Sequence, residues 1–159
     1  MTDATLYDED FVAWSQQQAE ALRAAARTGS NHLLDWENLA EEIESLGISE
    51  KRELRSHIRR VIHHLLKLEH SRATEPRQGW MESIDDARAE IELVLETSPS
   101  LRPYVTTAIA AEMKHGVRLA VRDLEKYGAA DPAAIARIHA TTYTPDQILG
   151  DWFPEEPKP

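Results

Sequence analysis

The chain has 159 residues, of which 42% are apolar, no cysteine, and a formal net charge of −10. This length and apolar content are enough for a buried core, which excludes a largely disordered chain, and the lack of cysteine excludes disulfides, thiolate metal sites and cysteine nucleophiles. The first residues lack the pattern of a secretory signal, and no apolar run approaches the ~20 residues that cross a bilayer, so the sequence predicts a soluble, cytoplasmic protein without a membrane partner.

The first elements are predicted from apolar residues at helical spacing and from the stop signals between them. One helix is expected from Asp8 to Arg27, with Gly29 after its end. A second is expected over Asp35–Leu46, with Asp35 as its cap and an inward stripe of Trp36, Leu39, Ala40, Ile43 and Leu46. Gly47 is expected to end this helix in a tight turn, because glycine enters the left-handed conformation without a Cβ clash. A third helix, Glu50–His70, then forms an antiparallel hairpin with the second.

The remaining elements follow the same rules. A loop is predicted over residues 71–79, a helix from Trp80 to Glu96, and a long helix from Leu101 to Tyr127 that stops at Gly128. Asp131-Pro132 and Thr144-Pro145 each open a short helix, since proline is well tolerated in a first turn. The sequence thus predicts an all-α, up-and-down helical bundle of four to five main helices plus short C-terminal helices. We expect one domain over residues 1–154 and a frayed tail over 155–159.

Charge is distributed in blocks along the chain. Residues 1–50 carry 11 acidic and 2 basic side chains, whereas residues 51–72 carry 2 acidic and 7 basic ones. An acidic excess repels nucleic acid at long range, so a nucleic-acid role would need the basic helix 50–70 to present its cations on one exposed face. Nucleic acid is therefore the weakest of the partner hypotheses.

Several segments resemble the bacterial domain-of-unknown-function 29 family. They are YDEDFVAW (7–14), LDWENLAEEIESLG (34–47), ELRSHIRRVIHHLLK (53–67), SPSLRPY (98–104) and YTPDQILGDWFP (143–154). The resemblance implies an all-helical bundle and a bacterial source, and it implies no reaction. The loop HSRATEPRQGW (70–80) departs from the family pattern, which usually has a basic, aromatic-containing turn before a serine–tryptophan pair.

A metal site is the first chemical alternative. Glu112 and His115 have the i, i+3 spacing of di-iron bundles, and Glu41 and His64 are the further candidate ligands. Such a site needs a second Glu-x-x-His pair, which the sequence lacks. We therefore predict no cofactor and no stoichiometric metal, with a metal-binding protein or metal-dependent enzyme as the alternative.

A polar cluster is the second candidate site. If the hairpin at Gly47 forms, the second helix faces the third, and these side chains meet: Asn38, Glu41, Glu42, Glu44, Arg52, Arg55, His57 and His64. At least one of the glutamates should then be partly buried against an arginine, a histidine or Trp36, because a buried carboxylate needs a partner. This cluster is expected to be structural rather than catalytic.

The sequence favours binding over catalysis. It contains no nucleophile elbow and no phosphate-cradling glycine loop. Four tryptophans accompany only two phenylalanines, and Trp14, Trp36, Trp80 and Trp152 are candidate anchors that cannot all lie in a central core. The preferred interpretation is a non-catalytic helical protein that binds an unidentified protein or a second copy of itself.

Overall fold

The computed structural model describes residues 3–29, 33–128 and 130–158. Helix accounts for well over half of these residues, and none of them lies in a strand, which confirms the all-α class. None of the helices in the described ranges is both long and apolar enough to cross a membrane. The helices are α1 (Asp3–Glu9), α2 (Phe11–Arg27), α3 (Trp36–His70), α4 (Arg77–Thr97), a 3-10 turn (Pro99–Leu101), α5 (Tyr104–Lys126), α6 (Pro132–Ala140) and α7 (Pro145–Leu149).

The predicted first helix is divided at Asp10. The backbone of Asp10 is extended, and its carboxylate accepts a hydrogen bond from the amide of Ala13 at 2.9 Å, which starts α2. The same carboxylate accepts hydrogen bonds from the amide and the hydroxyl of Ser100, at 2.6 and 2.9 Å. Asp10 is therefore a cap and a tertiary link, and the expectation of one uninterrupted helix over residues 8–27 is wrong.

The predicted turn at Gly47 is also wrong, because α3 is continuous through it. Gly47 is buried in the middle of a 35-residue helix. A Cβ added there would lie 2.5 Å from the Oγ of Ser15 on α2. Glycine is needed at this position because α2 approaches closely, and it does not act as a helix stop.

Other boundary signals are confirmed. Gly29 and Gly128 follow α2 and α5 with φ of 70° and 69°, the left-handed conformation expected of glycine after a helix. Asp131 caps α6 through hydrogen bonds from the amides of Ala133 and Ala134, and Thr144 caps α7 in a capping box with Gln147. By contrast, α4 begins at Arg77, so Gly79 lies inside that helix.

The chain divides into two compact units. The first comprises residues 1–53 and 93–103, and the second comprises residues 54–92 and 104–159. In the first unit, the buried apolar side chains are few: Val12, Ala19, Ala40, Val94, Leu95 and Leu101. Of the large apolar side chains that are exposed in the described ranges, all except Tyr127 belong to this unit.

The second unit holds the larger apolar core. Its largest fully buried side chains come from α3, α4 and the C-terminal helices: Leu54, Ile58, Ile62, Leu65, Leu66, Leu68, Ile84, Ile91, Ile138 and Ile148. Gly116 lets α5 pack closely on α3, because a Cβ there would collide with the side chain of Ile62. This glycine in the middle of α5 is therefore a close-packing point.

The segment after α7 is fixed within the second unit by contacts with Arg88. The buried guanidinium of Arg88 donates hydrogen bonds to the carbonyl oxygens of Gln147, Ile148 and Trp152, at 2.6 to 3.0 Å. It also lies 4.9 Å from the ring centroid of Phe153. Burial lowers the pKa of Arg88 from its usual value, although the arginine stays charged near neutral pH.

Candidate functional site

The candidate site is an apolar stripe on the first half of α3. Its residues follow a heptad a/d spacing, and we call them, with the glutamate at the next position of the same spacing, the leucine stripe: Trp36, Leu39, Ile43, Leu46 and, at its end, Glu50. None is fully buried, and Leu39 and Leu46 expose 40% and 45% of their surface. The buried residues Ala40 and Gly47 lie beside this stripe on the helix, so the apolar surface extends beyond the part that the protein itself covers.

The part of α3 that carries the leucine stripe is acidic, and Asp35 and Glu42 lie directly beside the stripe. Residues 33–50 contain six acidic side chains and no lysine or arginine. Asp35, Glu37, Glu41 and Glu42 are exposed, and Glu44 accepts a hydrogen bond from Arg23 of α2 at 2.7 Å. Burial, and then the charge of Glu53, raises the pKa of Glu50 above its usual value. This surface combines exposed leucines with a negative border.

The sequence predicts Leu39 and Leu46 in the core, whereas the structure exposes both on this surface. The misinterpretation follows from the predicted hairpin, in which this side of the helix would have been covered by the next one. The usable signal was the complete absence of lysine and arginine over residues 33–50 beside leucines at heptad spacing. That pattern is typical of an acidic helix that binds a basic partner.

The predicted polar cluster does not form across a hairpin, since its members follow one another along one helix. Glu44 and Arg52, for example, are eight residues apart on α3, which is ~12 Å along the axis. The Asn38 amide group donates to Asp35 at 2.6 Å, within the first turn of α3. Glu41, Glu42 and Arg52 are exposed. The predicted arginine partner of a half-buried glutamate exists, but it is Arg23 on α2.

Arg55 from the predicted cluster binds a different carboxylate, within the second unit. Its Nε and Nη2 both lie 2.6 Å from Oε1 of Glu112 on α5, and Nη1 of Arg59 lies 3.4 Å from Oε2. Glu112 is only 1% exposed, so the two arginines supply the partners that a buried carboxylate requires. Sequence reasoning singled out both residues but assigned neither pairing.

This pairing bears on the metal hypothesis and on the nucleic-acid hypothesis. Both oxygens of Glu112 face arginines, which would have to move before this carboxylate could bind a metal ion, and Glu41 is exposed on α3. A metal site built from Glu112, His115, Glu41 and His64 stays a hypothesis without support from this geometry.

The same pairing weakens the nucleic-acid hypothesis, because Arg55 and Arg59 of the basic helix are engaged by Glu112 and are only partly exposed.

His63 of α3 belongs to a second polar group, which links α3 to α5 further along both helices. Nε2 of His63 donates to Oδ2 of Asp123 at 2.7 Å, since an ionised carboxylate can only accept, and Nζ of Lys67 donates to the same oxygen at 2.9 Å. Desolvation opposes the ionisation of Asp123, but these hydrogen bonds outweigh it and lower its pKa. Lys67 also lies 4.8 Å from the ring centroid of Trp80.

Burial controls the protonation of the neighbouring histidines. It lowers the pKa of His63, with a further contribution from the charge of Lys67. It lowers the pKa of His64 to about 3, with smaller contributions from His63 and Lys67, and the two rings stack 4.7 Å apart. Nδ1 of His64 is buried and finds no hydrogen-bond partner among the described residues. His57 is half-buried.

Lys67 and Asp123 of this group border a cavity of about 400 Å³ that Trp80 and Tyr127 also line. Lys67 and His63 both donate a hydrogen bond to the same carboxylate oxygen of Asp123. The charge of Lys67 is compensated by Asp123 and by the Trp80 ring. This arrangement accounts for stability and does not indicate a reaction. The four tryptophans are each half-buried, which agrees with the expectation that they do not all lie in a core.

Comparisons with known proteins agree with this picture and name no activity. Residues 6–153 match the family model described as "Domain of unknown function DUF29". The chain is similar to a solved structure, an alpha-helical protein of unknown function from Rhodospirillum rubrum, with 28% identity, a TM-score of 0.73, and coverage of 90% of this chain and 88% of that one. Among curated proteins, no relative matches the sequence.

Proposed function

The chain belongs to the family of the domain of unknown function DUF29, and we propose that it is a protein-binding module whose leucine stripe docks a basic amphipathic helix of a partner protein. The exposure of Leu39 and Leu46 carries this proposal. Large apolar side chains lose favourable burial energy when they stay in water, so an exposed apolar helix surface is typical of a protein-binding surface. Leu33 and Leu34, immediately before α3, are exposed as well and extend the apolar area.

The geometry of α3 supports a helical partner. Residues at a/d spacing form a continuous seam along a helix, and a second helix with leucines at the same spacing packs into such a seam. A strand or an extended peptide would require unpaired backbone groups at the surface, which an intact helix does not offer.

Charge supports a basic partner over a second copy of this chain. Two identical copies would bring their acidic borders together at close range, and like charges held at an interface oppose association. Lysines or arginines beside the apolar seam of the partner would instead meet the exposed Asp35 and Glu42, which lie seven residues apart beside the leucine stripe. The half-buried Glu50 offers a carboxylate at the end of the seam, where a partner cation would be desolvated with it.

Binding of a model peptide tests the proposal. The probe is a fluorescently labelled helical peptide with leucines on one side and lysines on the other, titrated at low and at physiological salt and followed by anisotropy. We expect binding that weakens with salt, because the acidic border contributes through screened charges. Leu39→Ser with Leu46→Ser should weaken it by roughly tenfold or more, since two apolar anchors are removed.

Two controls make the result specific. Tyr127→Ser removes an exposed apolar side chain from the second unit and should leave the affinity unchanged. A peptide in which glutamates replace the lysines should bind much more weakly than the basic one. Equal binding of both peptides, or a dimer in sedimentation that dissociates in the Leu39→Ser, Leu46→Ser variant, would contradict a basic partner.

A further inference from the structure

A second exposed feature lies in the second unit, on the surface of α5. A cleft of about 620 Å³ is bordered by α5, by His139 near the end of α6, and by the residues that follow α6. Three cationic side chains line it at i, i+4 and i+8 spacing, Lys114, Arg118 and Arg122, and all three are exposed. We call this feature the cationic cleft.

We propose that the cationic cleft binds a small soluble phosphate monoester with an aliphatic body. The three cationic side chains support an anionic ligand. None of the three forms an ion pair with another residue in the described part of the chain, and like charges four residues apart destabilise a helix. A bound anion would attract all three side chains and so offset the repulsion between them. Glu125 is the acidic residue of the lining, which leaves a positive excess in a chain whose net charge is −10.

The apolar part of the lining indicates the body of the ligand. Met113, Val117 and Val121 alternate with the cations along α5 and line the same cleft. The lining residues in the described ranges include no phenylalanine, tyrosine or tryptophan, and the apolar part of the lining is aliphatic, so it suits an aliphatic group. The volume is within the range of small-molecule sites, which combine an apolar lining with a few polar groups.

The residues that follow α6 supply a hydroxyl donor to the cleft. Thr141 donates its hydroxyl proton to the carbonyl oxygen of Arg137 at 2.7 Å, so Nε2 of His70, 2.8 Å from the same oxygen, must be the donor to it. These two bonds hold Thr141 in place at the edge of the cleft. The exposed hydroxyl of Thr142 is adjacent and can donate to a phosphate oxygen.

A small ligand fits this setting better than nucleic acid. A strongly acidic protein repels an extended polyanion at long range, whereas a small anion experiences mainly the charges within about one Debye length. The row from Lys114 to Arg122 spans only ~12 Å of helix, which is enough for one or two phosphate groups. The cleft is therefore assigned to a compact phosphate ester.

Calorimetric titration with hexyl phosphate, inorganic phosphate and hexanol tests the proposal on the intact protein. Hexyl phosphate should bind at least roughly tenfold more tightly than inorganic phosphate, because its chain is buried against the apolar lining, and hexanol should not bind detectably. Arg118→Gln with Arg122→Gln should lower the affinity for hexyl phosphate by at least roughly tenfold, since charge-assisted hydrogen bonds are lost. Val121→Ser should weaken hexyl phosphate but leave inorganic phosphate unchanged.

Arg72→Gln with Arg102→Gln is the matched control, because it removes the same charge from two exposed arginines outside the cleft. It should leave the affinity for hexyl phosphate unchanged. Equal losses in both double variants, or no binding of hexyl phosphate at millimolar concentration, would overturn the proposal. Co-sedimentation with vesicles containing phosphatidic acid that is lost in Arg118→Gln, Arg122→Gln would overturn the assignment to a soluble ligand.

Discussion

At the scale of single residues, the most constrained group is the carboxylate of Glu112. It is buried, and it depends on Arg55 at 2.6 Å and on Arg59 at 3.4 Å. Desolvation of a charge is costly unless hydrogen bonds compensate it. Removal of Arg55 should therefore lower the stability of the protein more than the partial exposure of the Arg55 side chain suggests.

Replacement of Arg55 by methionine should therefore destabilise the protein. We expect a loss of about 2–3 kcal/mol in the free energy of unfolding, because Glu112 is left with one long contact. Arg52→Met is the control on the same helix and should change stability by less than about 0.5 kcal/mol, since that side chain is exposed. Urea denaturation measures both. Adding Glu112→Met to Arg55→Met should recover most of the loss, and equal stability of the two single variants would contradict the role assigned to Glu112.

The depressed pKa of His64 has a consequence for stability against pH. A histidine whose pKa is lower in the folded state than in the unfolded state stabilises the fold above the unfolded value of 6.5, and this contribution is lost as the pH falls toward about 3. Unfolding free energy should therefore fall between pH 7 and pH 5. With allowance for the partial exposure of the ring, the share of His64 should be about 1 kcal/mol.

Chemical denaturation at pH 7 and pH 5 measures this effect, and the difference should be smaller in His64→Gln than in the parent. The exposed His139 provides the matched control, because His139→Gln should retain the full pH dependence. An unchanged pH dependence in His64→Gln would show that His64 is accessible to solvent and protons.

At the scale of elements, the helix boundaries follow from local signals and the continuity of α3 does not. Asp131, Thr144, Gly29 and Gly128 were assigned correctly, because a cap or a left-handed glycine acts within one turn of the chain. Gly47 was assigned wrongly, since the reason for glycine there is a contact with Ser15, 32 positions away in sequence. Local pattern does not distinguish a glycine that ends a helix from one that admits a neighbouring helix.

The same limit explains what the sequence predicted of the candidate site. It placed Leu39 and Leu46 on one side of a helix correctly, but whether that side is covered depends on where the chain turns. It also selected Arg55 and Glu112 as chemically notable, but their pairing depends on the packing of α3 against α5. Residue type and helical phase are local properties, whereas partners are set by tertiary structure.

Gly47→Ala distinguishes the two roles of this glycine. In the parent, the new Cβ would lie 2.5 Å from the Oγ of Ser15, so this overpacking should lower stability by about 1 kcal/mol or more. In a Ser15→Ala background the Oγ is absent, and the substitution should stabilise by about 0.5–1 kcal/mol because alanine is the better helix former. Thermal unfolding measures both. Destabilisation of similar size in both backgrounds would instead favour a turn that ends the helix at Gly47.

At the scale of the whole molecule, the two units differ in how they use their apolar residues. The second unit buries most of its large apolar side chains, whereas the first leaves Leu33, Leu34, Leu39, Leu46 and Leu93 exposed. The first fifty residues also carry most of the acidic excess of the chain. An exposed apolar seam with an acidic border is thus concentrated in one unit, which is the basis for assigning the protein-binding role to it.

Methyl-resolved NMR of the protein, titrated with the basic amphipathic peptide, tests this assignment most directly. Methyl signals of Leu39, Ile43 and Leu46 should shift with the peptide and saturate together, because one seam binds one helix. Those of the fully buried Leu65 and Ile138 in the second unit should stay in place. Shifts that are confined to the second unit, or no shifts at peptide concentrations that saturate anisotropy, would contradict the proposed function.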